Sequence, residues 1–133
     1  MSGTDEQPGT RTGRASRDRG QAAIEYLGFL PILLLVGLAG FQLGVAAYAA
    51  QQAGSGARAA ARAASSDDED APDPVAAGRA AADWATEVLV DTGGGAAVAT
   101  VTVDIPSVVP FWDGFGSVTK TATMPMPDEE DLP

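Results

Sequence analysis

The 133-residue chain has no cysteine and no histidine, and Lys120 is its only lysine. Without cysteine there is no disulfide framework and no thiol chemistry. Without histidine the commonest general base and the commonest metal ligand are both missing. Aromatic residues make up only 6% of the chain, and much of its 45% apolar content is alanine, which brings little area to a core. The net charge of -10 leaves no basic stripe for phosphates, which argues against a nucleic-acid partner. No nucleophile elbow, phosphate loop or paired acid and base stands at a recognisable spacing, so the sequence does not read as an enzyme and implies no cofactor.

The charge that is present is sorted along the chain. Arg11, Arg14, Arg17 and Arg19 crowd the first twenty residues. From Gln21 onward there are four basic and fifteen acidic side chains. Between these blocks, Tyr26 to Ala50 carries no charge over 25 residues, roughly 37 Å of helix at about 1.5 Å per residue. That exceeds the ~30 Å hydrocarbon thickness of a bilayer. A basic head, an apolar run and an acidic body predict a single-pass protein with a cytoplasmic N-terminus and an extracytoplasmic body.

The chain divides accordingly. Residues 1–20 have almost no bulky apolar side chains and read as a disordered cytoplasmic leader. Residues 21–64 form a long helix whose transmembrane segment spans about 26–50. Pro31 removes one backbone donor and predicts a bend. Gly54 and Gly56 weaken the alanine-rich continuation and allow a break there. Residues 65–74 form an acidic linker, whose Asp67, Asp68, Glu69, Asp70 and Asp73 lack the spacing of a calcium loop. Asp73 reads as an N-cap with Pro74 at the first helical position, opening a second helix that runs to about Val90.

Next, "AVATVTVDIP" alternates Ala99, Val101, Val103 and Ile105 against Thr100, Thr102 and Asp104, which predicts a half-buried strand. "SVTKTATM" alternates again, so a long hairpin over an eleven-residue loop is expected. Residues 75–127 thus read as a small α+β body, and 128–133 as an acidic tail. Trp84, Phe111, Trp112 and Phe115 are its candidate core, with an exposed aromatic patch at 111–115 as the alternative. A core this small is marginal alone and calls for packing against the long helix or neighbouring subunits.

Two features of the apolar run suggest contacts between helices. Gly37, Gly40 and Gly44 share one helix face, where small residues let backbones approach, although glycine is also simply frequent in membrane helices. Gln42, the strongly polar side chain within the run, could donate across a helix bundle or be accommodated by tilt.

The seam before the run has three readings. In a plain signal anchor, Glu25 is an interfacial charge. In a secretory signal, the small residues Ala47 and Ala49 precede cleavage, but the apolar region is longer than such signals use. In the third, "RGQAAIEYLGFLP" is a processing site. This stretch resembles the motif of type IV pilins, most closely the Flp/Tad branch. "RGQAAIEYLGFLPILLLVGL", the alanine-rich "AAYAAQQAGSGARAAARAAS" and the C-terminal strands with their proline-rich connection resemble TadE-like (TadE/TadG) pseudopilins. The resemblance implies cleavage by a prepilin peptidase after Gly20 and a mature N-terminus at Gln21. It puts Glu25 at the fifth mature position and Tyr26 at the sixth. It also implies other pilin subunits, the inner-membrane pilus assembly platform and the lipid bilayer as partners. The fold it leads to expect is α+β, with a long pilin-like helix, a short helix and a small antiparallel hairpin or sheet. A carboxylate beside a membrane is costly unless paired. In the family, the glutamate is held to pair with the new amine of a neighbouring subunit during assembly.

Overall fold

The computed structural model describes residues 10–127, with side chains described from Arg17 onward. The expected acidic tail at 128–133 and the first nine residues of the leader lie outside the described residues. The chain divides into two compact units, Met1–Ala39 and Gly40–Pro133.

The first unit is helical. Helix α1 is assigned over Thr10–Ala64 without interruption, through Pro31. Residues 10–20 are therefore helical, against the expectation of a disordered leader. No proline separates the arginine-rich stretch from the apolar run, and the single Gly20 between them does not stop the helix from extending back through it. The side chains of Ile24, Tyr26, Leu27, Phe29, Ile32 and Leu33 are more than half exposed. Among the described residues, α1 is the one helix long and apolar enough to cross a membrane.

The second unit is an α+β body with the order α1 (its Gly40–Ala64 part), α2 (Pro74–Ala81), β1 (Ala85–Asp91), β2 (Ala96–Asp104) and β3 (Ser117–Pro125). The strands form one antiparallel sheet in the order β1-β2-β3. Here α1 becomes amphipathic. Ala49, Ala53, Ala57, Ala60 and Ala61 are buried at spacings that keep one stripe on the core. The facing stripe comes from the sheet. Val88 of β1 and Ala97, Ala99, Val101 and Val103 of β2 alternate inward, with Val118, Ala122 and Met124 of β3 half-buried beside them. The outer face is lined by threonines, with Thr100 against Thr121 and Thr102 against Thr119, each pair of hydroxyls 3.1 Å apart. Alanine on the helix and valine on the strands let backbone approach backbone. That is how a chain poor in large apolar residues closes a core.

The cap on α2 forms as expected, with the Ala76 N–H donating to Asp73 Oδ2 at 3.0 Å and Pro74 in the first turn. The helix stops at Ala81, however, and Ala85–Asp91 is a strand rather than the continuation to Val90. Thr86, Val88 and Val90 are β-branched, and Val88 and Val90 point to the same face only at a period of two. Pairing with β2, Val88 opposite Val101 and Val90 opposite Ala99, decides the matter. The β1–β2 turn ends on Gly94 and Gly95 at φ 73° and 77°, a region open to glycine at little cost.

Gly56 does not break α1. A Cβ there would stand 2.8 Å from the Ala82 Cβ and 3.0 Å from the Gly78 carbonyl oxygen, so this glycine sits at a close approach of α1 to α2.

The aromatic residues expected in the core are not there. Phe111 and Trp112 are exposed, and Trp84 and Phe115 are more than a third exposed. They lie in connections, 82–84 and 105–116, where no further layer is available to cover them.

Candidate functional site

The residues singled out in the sequence fall into two groups. Gly20, Gln21, Glu25 and Tyr26 are all exposed on α1 in the first unit. The Gly20–Gln21 peptide bond is inside the helix. Nothing lies within 4 Å of a Cβ built on Gly20, so this position is open to an approaching protein. Glu25 lies five residues, or one and a half helical turns, beyond Gly20.

Gly37, Gly40 and Gly44 are similarly open, with nothing within 4 Å of a Cβ at any of them. Gly40 and Gly44, with Phe41, Val45, Tyr48 and Trp84, line a shallow apolar cleft in the second unit. Its far wall is an aromatic pair, Tyr48 and Trp84, whose rings meet edge to face at 4.8 Å and 74°. The Tyr48 hydroxyl accepts from Gln52 Nε2 at 2.8 Å.

Gln42 has a role that the sequence did not suggest. It is 5% exposed, and both halves of its amide are engaged within the body. Nε2 donates to the Pro106 carbonyl at 3.0 Å, and Oε1 accepts from the Val108 N–H at 2.9 Å. This bidentate bridge fixes the start of the β2–β3 connection against α1. The side chain is thus satisfied within one chain, and within the apolar run Gln42 and Ala49 are buried on protein while Leu43 and Tyr48 stay exposed. Tyr48 and the bridge partners Pro106 and Val108 went unnoticed in the sequence. The one available signal was a lone glutamine in an otherwise apolar run.

In the acidic linker, Asp68 Oδ1 accepts from the Asp70 N–H at 3.0 Å, a local turn bond. Among the described residues, no three acidic side chains are grouped as metal ligands would be.

A family model described as TadE-like protein matches residues 20–62. The match begins on Gly20 and takes in Glu25, Tyr26, Pro31, the three glycines and Gln42, ending two residues before α1 does. No curated protein and no solved structure matches the chain. The long helix of this protein therefore carries a TadE-like segment, Gly20 to Arg62.

Proposed function

We propose that the protein is a structural, pilin-like subunit of a Tad-type pilus system, made as a membrane precursor and processed by a prepilin peptidase after Gly20. The observation that carries this reading is the TadE-like match starting on Gly20, near the N-terminal end of the one helix among the described residues that is long and apolar enough to cross a membrane. The chain is a substrate and a building part, and the peptidase supplies the chemistry.

Each element has a role in this reading. The arginine-rich leader stays in the cytoplasm and holds the orientation. The exposed apolar run anchors the precursor in the bilayer and later packs among the helices of neighbouring pilin subunits. The open glycine face suits that packing, because small residues allow close backbone approach in lipid. Cleavage requires the helical turn around Gly20–Gln21 to open, and it frees an amine at Gln21. Glu25 then neutralises the amine of an adjacent subunit, which removes two isolated charges from a low-dielectric setting. The assembly platform in the inner membrane receives the processed subunit. Within this reading a TadE-like minor pilin is the subtype we propose.

Co-expression with a prepilin peptidase tests the reading. The wild-type chain should shorten by the mass of residues 1–20, and Gly20→Ala should retain them. A wild-type chain that keeps its leader beside an active peptidase would overturn it. The rival supported by a specific observation is an unprocessed single-pass anchor, since α1 runs unbroken through the Gly20–Gln21 bond.

A further inference from the structure

We infer that the connection between β2 and β3 is a second membrane contact, an aromatic loop that rests in the lipid interface beside the exit of α1. The inference uses the membrane span of the proposed function, but not the processing or assembly steps.

Three observations carry it. The first is the Gln42 bridge. Gln42 follows directly after Phe41, and it holds Pro106 and Val108 through two hydrogen bonds of 3.0 and 2.9 Å. The loop is therefore tied to the first buried residue of α1 among those described, which lies seven residues before the buried alanine stripe begins at Ala49. The second is exposure. Phe111 is fully exposed, and Trp112 is 59% exposed. Adjacent exposed aromatics form apolar surface of the kind found at interaction and membrane sites, and Trp is enriched where a membrane meets water. The third is backbone strain. Phe111 has φ 64°, a left-handed conformation that is strained for a bulky residue. The strained position is the one whose ring is fully outside the fold.

The loop is built to hold this shape. The Trp112 N–H donates to the Val109 carbonyl at 3.3 Å, closing a turn, and Trp112 and Phe115 are neighbours with ring centroids 6.4 Å apart. Its only charged residue between Pro106 and Gly116 is Asp113. A neutral, zwitterionic lipid surface therefore suits it better than an anionic one. Tyr48 and Trp84, also partly exposed in this unit, add aromatic surface of the same kind. With the loop resting on lipid, the body gains a second attachment to the membrane besides the span of α1.

The test uses the full chain in phosphatidylcholine vesicles. Trp84→Phe leaves Trp112 as the sole tryptophan. Flotation with the vesicles reports the span, and Trp112 fluorescence reports the loop. Expected is a blue-shifted Trp112 emission that is quenched more by lipid brominated near the headgroup than by lipid brominated deep in the chains, and little by aqueous acrylamide. Adding Gln42→Leu should move the emission to the red and restore acrylamide quenching while flotation persists. If Trp84→Phe perturbs the fold, the difference between wild type and Trp112→Phe gives the same readout. A floated chain whose Trp112 is quenched by acrylamide and not by lipid overturns the inference and leaves the span standing. Protection from both quenchers that grows with protein-to-lipid ratio overturns it in favour of a contact between subunits. A chain that does not float overturns both.

Discussion

The carbonyl oxygen of Gly78 lies 3.0 Å from the point where a Cβ on Gly56 would stand, and the Gly56 carbonyl lies 3.4 Å from the same point on Gly78. The two glycines face each other where α1 and α2 meet, with Ala60, Ala82, Val88 and Val101 around them. The body has small side chains throughout its core, and at this crossing two helix backbones come close enough that neither position has room for a Cβ.

Gly56→Ala should therefore destabilise the body even though it improves the helix. Alanine gains about 1 kcal/mol of helix propensity over glycine. Overpacking against a backbone carbonyl costs about 1–3 kcal/mol, and the nearest atoms here are not the flexible ends of side chains. The control is two residues away. A Cβ on Gly54 meets only the Arg58 guanidinium, at 3.6 Å or more. Gly54→Ala should raise the thermal midpoint, and Gly56→Ala should lower it, both followed by circular dichroism in detergent.

Gln42→Leu should loosen the start of the β2–β3 connection. It leaves the Pro106 carbonyl and the Val108 N–H, both only partly buried, without their partner, so the cost falls below that of a fully buried unsatisfied group, about 1–3 kcal/mol. Amide hydrogen exchange at Val108 is the readout, and protection there should be lost while protection along β2 is kept. Gln42→Glu separates the two bonds. It keeps an acceptor for Val108 but sets a carboxylate oxygen against the Pro106 carbonyl, so Val108 should retain more protection than in Gln42→Leu.

Glu25→Ala should leave cleavage after Gly20 largely intact and block incorporation into pili. The measurement is the fraction of processed subunit in sheared filaments against that left in membranes. Normal incorporation of the variant would remove charge pairing from Glu25's role.

Much of this architecture was legible in the sequence because it rests on local chemistry. The run from Tyr26 has no charge to interrupt a helix, Asp73-Pro74 is a self-contained cap, and β2 and β3 alternate strictly. The rest depended on partners distant in the chain. Ala85–Asp91 has no clean helical stripe, and its pairing with β2 settles it as a strand. Gly56 looked like a weak point in a helix because its neighbours Gly78 and Ala82 come from another element. Gln42 bonds to backbone 64 and 66 residues away, a relation that no local pattern encodes. For the aromatics at 111–115 hydrophobicity alone leaves a core and an exposed patch both open, and the fold decides for exposure because they sit in a connection that it has nothing to cover. At the candidate site, the spacing from Gly20 to Glu25-Tyr26 was readable because it is a property of consecutive residues.

The most direct test of the proposed function is the N-terminus of the mature protein, measured by mass spectrometry on material from its native host. A chain beginning at Gln21 is expected. A chain that retains Met1 through Gly20, or one that begins near Ala50, would contradict prepilin processing.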